Sequence, residues 1–105
     1  MTTVQKDMRG NWRAKDVIQL GNNKVLEIAT HKVGDGSIVT SATVNIMEGG
    51  FATHRVFTDF SKRLLTSKVR CTEKNVASQH ETCMVNVPAL KEAIAAFYKE
   101  EVAAA

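Results

Sequence analysis

The stretch from 37 to 60 most constrains the fold, because it holds two runs rich in β-branched and aromatic residues on either side of Gly49-Gly50. From 37 to 48, apolar and small polar residues alternate, which is typical of a strand with one buried face. The predicted core face of this strand carries Ile38, Thr40, Ala42, Val44 and Ile46. The other face carries mostly hydroxyl and amide side chains and is expected to face water.

The second run, residues 51–60, has an ambiguous register. One register turns Phe60 toward the core and turns Arg55 and Phe57 toward solvent. A slip of one residue, or a bulge near residues 54–55, would reverse these directions. Both faces of this run carry aromatic residues, so we expect something to cover the second face in part.

Two more strands are predicted upstream. Residues 16–20 form a short apolar run, and residues 24–33 alternate, with Leu26, Ile28 and Thr30 on one face. Each run is followed by a segment typical of a tight turn, first Gly21-Asn22-Asn23 and then Gly34-Asp35-Gly36. These runs indicate neighbouring strands joined as hairpins.

Residues 64–71 are predicted to be extended, with a helical turn at 59–63 as an option before them. In that case Leu65, Val69 and Cys71 face the core. Thr66, Lys68 and Arg70 then point outward.

Residues 72–87 support two interpretations. Thr72 is a suitable helix N-cap, and a helical stripe follows at Val76, His80, Cys83 and Met84. The competing interpretation makes 83–87 a strand. We expect a short helix at 73–81 and then an extended run into Pro88.

The C-terminal helix is predicted at 88–102, since proline is well placed in a first helical turn. Its apolar arc contains Val87, Leu90, Ala93, Ile94, Phe97 and Tyr98. Replacement of Ile94 or Phe97 by Asp is expected to unfold the protein.

The fold class is therefore α+β: an antiparallel meander of four to five strands with a C-terminal helix packed on one face. A chain of 105 residues predicts a single domain. Its predicted parts are a basic N-terminal arm (1–15), the antiparallel sheet (16–71), a short helix or strand connection (72–87) and the helix (88–102).

Charge is distributed unevenly along the chain. Residues 1–70 carry 11 Lys and Arg against 6 Asp and Glu, whereas residues 71–105 carry 3 against 5. No apolar run approaches the ~18 residues of a membrane span, and the N-terminus lacks the apolar core of a signal peptide. We expect a cytoplasmic protein without a membrane partner, in which Cys71 and Cys83 are free thiols.

Catalytic, metal and cofactor sites are not expected. The spacing of Cys71, His80 and Cys83 lacks the two close ligand pairs of structural zinc. His80, Glu81 and Cys83 lie close in the sequence, but nucleophilic catalysis requires a geometry that sequence proximity does not give. Glycine residues at 34–36 lie between two strands, with no helix after them to receive a phosphate.

Nucleic-acid binding is the leading prediction. Cations dominate residues 55–70, and Trp12 lies among basic residues, where it would either close one end of the core or stack on a base. A basic sheet face with aromatic residues is typical of proteins that bind single-stranded DNA or RNA. The predicted site residues are Arg9, Trp12, Arg13, Arg55, Phe57, Lys62, Arg63, Lys68 and Arg70.

The alternative is an assembly subunit that binds no nucleic acid and pairs through a sheet edge or face. A homodimer is expected under either hypothesis, because it would add buried area to a small domain. Lys and Arg on an outer strand would then serve only to keep that edge unpaired and soluble.

Overall fold

The computed structural model describes residues 3–21, 23–47 and 55–98, with side chains described except at 47 and 55–59. Within these ranges the chain forms five strands and two helices. They are β1 (Val4–Lys6), β2 (Trp12–Gly21), β3 (Lys24–Lys32), β4 (Ile38–Met47), β5 (Arg55–Ser67), α1 (Glu73–Met84) and α2 (Val87–Tyr98). The strands form one antiparallel sheet in chain order, with the helices packed against it. The predicted α+β meander is confirmed.

The predicted core faces of β3 and β4 are also confirmed. The side chains on these faces with no exposed surface are Leu26, Ile28, Thr30, Ile38, Thr40, Ala42 and Val44. Leu90 and Ile94 of α2 pack on this face of the sheet. Full burial of one Leu or Ile side chain stabilises the fold by about 1.5–3 kcal/mol, so these contacts dominate the stability.

The opposite face of β4 is less exposed to water than its sequence suggested. Val39 lies between His31 and Thr66 in the register and is buried. Asn45 is buried as well, and its Nδ2 donates to Glu27 Oε2 at 3.4 Å. Side chains of the strands on both sides therefore cover these β4 positions.

Two of the predicted turns are confirmed by their backbone angles. Gly21 has φ 84° and Asn23 has φ 62°, which is the left-handed conformation that these residue types tolerate. Gly36 has φ 91° in the β3–β4 turn. The third predicted turn, Gly49-Gly50, lies outside the described residues.

The prediction of a basic arm at residues 1–15 is wrong for most of this segment. β1 pairs with the start of β2, where Val4 lies opposite Ala14 and Lys6 lies opposite Trp12. Trp12 therefore lies in a strand of the sheet and not in a separate arm. Charged residues alternate with apolar ones here, and the short β1 gives a weak periodic signal.

β5 is longer and less regular than expected. It is continuous from 55 to 67, so no helical turn forms at 59–63, and its register with β4 shifts at three places. One shift leaves Leu64 between the paired residues Arg63 and Leu65, and Leu64 packs against the core.

This bulge corrects the predicted core positions of β5. Leu65 lies opposite Thr40 but is 37% exposed, and Val69 lies beyond the strand and is 46% exposed. Cys71 is half-buried and packs against the core, as predicted. Phe60 also packs against the core, opposite Val44, which agrees with one of the two predicted registers for that residue.

The α1 helix begins as predicted and ends later. Thr72 Oγ1 accepts from the Asn75 amide at 3.1 Å, and the predicted stripe of Val76, His80 and Cys83 is buried. The helix continues to Met84, where a short turn leads into α2, so the extended run predicted into Pro88 is wrong. Val85 keeps a helical backbone conformation, which joins the helices closely.

Leu90 and Ile94 of α2 are buried, as the apolar arc predicted. Phe97 is 52% exposed, so its assignment to the core is wrong. Its ring packs edge-on against Phe60, with the ring centres 5.2 Å apart. The predicted end of this helix, beyond Tyr98, lies outside the described residues.

Both edges of the sheet have features that discourage pairing with another strand. β1 is three residues long, and β5 combines register shifts with the exposed cations Lys62 and Arg63. None of the described helices is long and apolar enough to span a membrane.

Candidate nucleic-acid interface

A chain of hydrogen bonds joins α1 to the sheet through the buried side of the fold. His80 Nε2 lies 2.7 Å from Asp16 Oδ2, and His80 Nδ1 lies 2.8 Å from Thr30 Oγ1. Thr30 Oγ1 lies 2.7 Å from Thr40 Oγ1, which accepts from Gln79 Nε2 at 3.1 Å. We call these five residues the buried polar array, although its Asp16 end reaches solvent, since that side chain is 44% exposed.

The donors and acceptors of this array can be assigned in order. An ionised carboxylate only accepts, so His80 Nε2 donates to Asp16. With one proton on the ring, Nδ1 accepts from the Thr30 hydroxyl. Thr30 then accepts from the Thr40 hydroxyl, which accepts from Gln79. Each hydroxyl thus donates once and accepts once, which removes the penalty for burying it.

Gln79 extends the array to the backbone of two strands. Its Nε2 also lies 3.1 Å from the Ile38 carbonyl oxygen and 3.3 Å from the Leu65 carbonyl oxygen, so the two hydrogens of this amide are shared among three acceptors. Its Oε1 is buried without a hydrogen-bond partner among the described residues. The array therefore fixes α1 against β2, β3, β4 and β5.

An aspartate, a histidine and a hydroxyl in sequence also occur in nucleophilic active sites. The two hydroxyls in this array, on Thr30 and Thr40, have no exposed surface. A substrate atom could not reach them in this conformation. The array accordingly supports the fold and gives no argument for catalysis.

The two cysteines and His80 do not form a metal site. Cys83 is 5% exposed, and this burial raises the pKa of its thiol. Cys71 Sγ donates to the Trp12 carbonyl oxygen at 3.3 Å, and both cysteines are free thiols. In the described part of the chain, no three His, Cys, Asp or Glu side chains are arranged to hold a metal ion.

Cations collect at one end of the sheet because of its strand register. Lys32 pairs with Ile38, which pairs with Ser67, and Lys6 pairs with Trp12. The β1–β2 turn, the β3–β4 turn and the segment after β5 therefore share this end. Its exposed cations, which we call the basic end, are Lys6, Arg9, Arg13, Lys32, Lys68 and Arg70. None of them forms an ion pair with a described carboxylate.

Two acidic side chains at this end are used by the turns. Asp7 Oδ1 accepts from the amides of Asn11 and Arg9, and Asp35 Oδ1 accepts from the amide of Ser37 at 2.8 Å. These backbone hydrogen bonds hold the pKa of both carboxyl groups below its usual value. Both carboxylates shape the turns that carry the neighbouring cations.

A cleft opens at the basic end between the β3–β4 turn and the segment after β5. It has a volume of about 430 Å³. Its lining residues are Asp35, Gly36, Ser37, Lys68, Val69 and Arg70. Of these lining residues, Lys68 and Arg70 are cations, and both are exposed.

The cationic surface continues onto the face of the sheet away from the helices. Arg13 and Lys15 of β2 are exposed on this face, and Arg63 of β5 lies opposite Ser41 on the same face. Lys15 Nζ lies 3.9 Å from Glu27 Oε1, which neutralises part of this surface. Ala29 and Ser41 lie between Lys15 and Arg63 in the strand register.

The predicted site residues divide into separate groups in the structure. Arg9, Arg13, Lys68 and Arg70 meet at the basic end, and Arg63 lies on the adjoining outer face.

Lys62 is exposed on the other side, since it lies opposite the core residue Ala42. The backbones of Arg55 and Phe57 pair with those of Met47 and Ile46, respectively. The side chains of Arg55 and Phe57 lie outside the described set.

Trp12 lies on the helix-bearing side. It packs against the cluster of Ala14, Ile38 and Val76, and the Lys6 ammonium lies 4.9 Å from its ring centre. Its indole therefore closes one end of the core and is covered by a cation. This placement favours the first of the two predicted roles for Trp12.

Sequence reasoning missed the buried polar array, although the signal was present. Thr30 and Thr40 lay on predicted core faces, and His80 lay on the buried stripe of a helix. Polar groups at such positions require partners. Their partner Asp16 lies on the face of β2 that also carries Ala14 and Ile18. Lys32 was missed as a site residue because only the sheet register brings it to the basic end.

Comparisons with known proteins do not assign the chain to a family. No family model matches it, and it has no significant match among curated protein sequences or solved structures.

Proposed function

We propose that this protein binds nucleic acid through the phosphate backbone, using the basic end and the adjoining outer face of the sheet. The observation that carries the proposal is the set of exposed cations at the basic end that lack carboxylate partners among the described residues. Lys and Arg side chains that converge on one surface provide the main affinity for phosphates.

The arrangement of the cations supports an extended ligand. Arg9 and Arg13 lie on the β1–β2 side, and Lys68 and Arg70 lie beyond the far edge strand, with Lys32 between them in strand order. A flexible single strand can follow such a row of cations through contacts with its phosphate backbone. Free thiols are typical of proteins in the reducing cytoplasm, and the proposal includes a cytoplasmic location.

Base stacking by the described aromatic residues contributes less to this proposal than the sequence suggested, while the side chain of Phe57 lies outside the described set. The aromatic rings of Trp12, Phe60, Phe97 and Tyr98 pack within or along the helix-bearing side. Contacts with phosphates carry no base preference by themselves. We therefore expect little discrimination among base sequences.

An assembly role is the second candidate, favoured by the 52% exposed ring of Phe97 and the 37% exposed Leu65. Such side chains become buried when partners associate. Pairing through a sheet edge is disfavoured by the short β1 and by the bulges of β5. The expected homodimer would instead use the helix-bearing side.

The test is a titration of labelled single-stranded and double-stranded oligonucleotides in low salt. The double variant Lys68→Glu/Arg70→Glu is expected to weaken binding by about tenfold or more, because it removes two phosphate contacts and adds repulsion. The matched control is Lys62→Glu/Lys91→Glu, which makes the same change of net charge away from the basic end. This control should weaken binding by only about twofold.

Equal losses in the two double variants would contradict the location, since only net charge would then matter. Absence of binding at tens of micromolar protein in low salt would contradict the function itself. Sedimentation of the same samples reports self-association, and a dimer that binds no oligonucleotide would favour the second candidate.

A further inference from the structure

A groove between β5 and α2 is separate from the basic end, and it shares no lining residue with the cleft there. It has a volume of about 400 Å³, which lies within the range of small-molecule sites. Its apolar lining consists of Leu64 and Leu65 from β5 and Ala89, Leu90 and Ala93 from α2. The remaining lining residues are Lys62 of β5 and Thr82, Cys83 and Asn86 from the end of α1 and the turn after it.

The local sequence explains why this groove is open. α2 lines it with the small side chains of Ala89 and Ala93, which cannot fill the space beside β5. The bulge in β5 brings Leu64 into the core and leaves Leu65 37% exposed on the same side. Uncovered apolar surface of this kind, next to buried Leu90, is available to a ligand.

Lys62 supplies a charge beside the apolar lining. Its side chain is exposed and makes no ion pair with a described residue. The geometry points to a binding site for a small amphipathic carboxylate, whose alkyl chain lies along Leu64, Leu65 and Ala93 and whose carboxylate pairs with Lys62. This site is independent of the proposed nucleic-acid interface.

A peptide strand added to β5 is a poorer occupant than a small molecule. An added strand needs a regular row of free backbone groups, but the register of β5 shifts three times. Lys62 and Arg63 also place two cations on this edge strand. A compact ligand with one carboxylate needs only the groove and Lys62.

The probe is decanoate, followed by amide chemical shifts of the isotopically labelled full chain. Decanoate should cause saturable shifts at residues 62–65 and 89–93, and decylamine should bind at least about threefold more weakly because Lys62 repels it. The variant Lys62→Gln should weaken decanoate by about threefold to tenfold and leave 1-decanol unchanged. Lys74→Gln, an exposed lysine outside the groove, is the matched control and should change neither.

Ala93→Trp tests the location of the alkyl chain. Ala93 is exposed, so the larger side chain can fill the groove without entering the core, and it should abolish decanoate binding while the urea midpoint stays near that of the wild type. Failure of decanoate to saturate these shifts, or binding that survives Ala93→Trp, would overturn the site. Equal affinity for decanoate and decylamine would overturn the role of Lys62. Self-association that Ala93→Trp abolishes would assign the groove to a second copy of the chain.

Discussion

The buried polar array and the basic end both consist of polar side chains, and they differ in where those side chains find partners. In the array, His80, Thr30 and Thr40 bond to one another and to neighbours on α1 and β2. At the basic end, Lys68, Arg70 and their neighbours make no ion pair with a described carboxylate. The difference separates groups that are satisfied within the fold from groups that a ligand can use.

The two regions are also linked through α1. Gln79 and His80 fix the helix to the sheet, and the segment that carries Lys68 and Arg70 leads directly into its N-cap, Thr72. A rigid α1 therefore helps to hold these cations in place. Loss of the array should lower stability first and weaken ligand binding only as a consequence.

The largest expected effect on stability tests which residues of α2 belong to the core. Ile94→Asp should unfold the protein, because it buries a carboxylate beside Leu90, where the residue is 4% exposed. Phe97→Asp should cost only about 1 kcal/mol, since Phe97 is half-exposed and loses mainly its contact with Phe60. Urea denaturation followed by circular dichroism measures both. Comparable unfolding by the two substitutions would place Phe97 inside the core.

The next effect tests whether the array is a structural element. His80→Ala should lower the free energy of unfolding by about 3 kcal/mol, because it leaves a cavity and removes partners from Asp16 and Thr30. His31→Ala is the matched control on the outer face, where His31 is exposed, and should cost less than about 0.5 kcal/mol. Similar losses for both variants in urea denaturation would show that the array contributes little.

The smallest effect concerns a turn at the basic end. Because the Ser37 amide holds the pKa of Asp35 below its unfolded value of about 3.9, the ionised carboxylate stabilises the fold above that pH. This contribution is lost as the pH falls through the folded-state pKa. Asp35→Ala should therefore lower the thermal midpoint at pH 7 by a small amount, and the two proteins should converge in strong acid. A difference that persists unchanged in acid would exclude the carboxylate as its source.

The regular part of the fold was predictable from the sequence. β3 and β4 alternate clearly, so Leu26, Ile28, Ala42 and Val44 were assigned to the core correctly. β5 was not predictable in the same way, because bulges change which residues face the core without changing the composition. Because of such a bulge, Leu64 packs against the core where the sequence predicted Leu65.

The candidate site was predictable in part. The surplus of cations in residues 55–70 pointed to Lys68 and Arg70, which do lie at the basic end. The contribution of Lys32 depends on strand register, which a single sequence does not fix. The alternation at Trp12, Ala14 and Asp16 was hidden by charged neighbours, so both the place of Trp12 and the partner of His80 were missed.

The most direct test of phosphate recognition at the basic end is the salt dependence of oligonucleotide binding. If four to five of the six cations at the basic end each contact one phosphate, a plot of log K against log salt for single-stranded DNA should have a slope of about −3. The Lys68→Glu/Arg70→Glu variant should reduce this slope by about 1 to 1.5, whereas Lys62→Glu/Lys91→Glu should leave it unchanged. A flat plot for the wild-type protein, or the same slope in both variants, would contradict binding through the basic end.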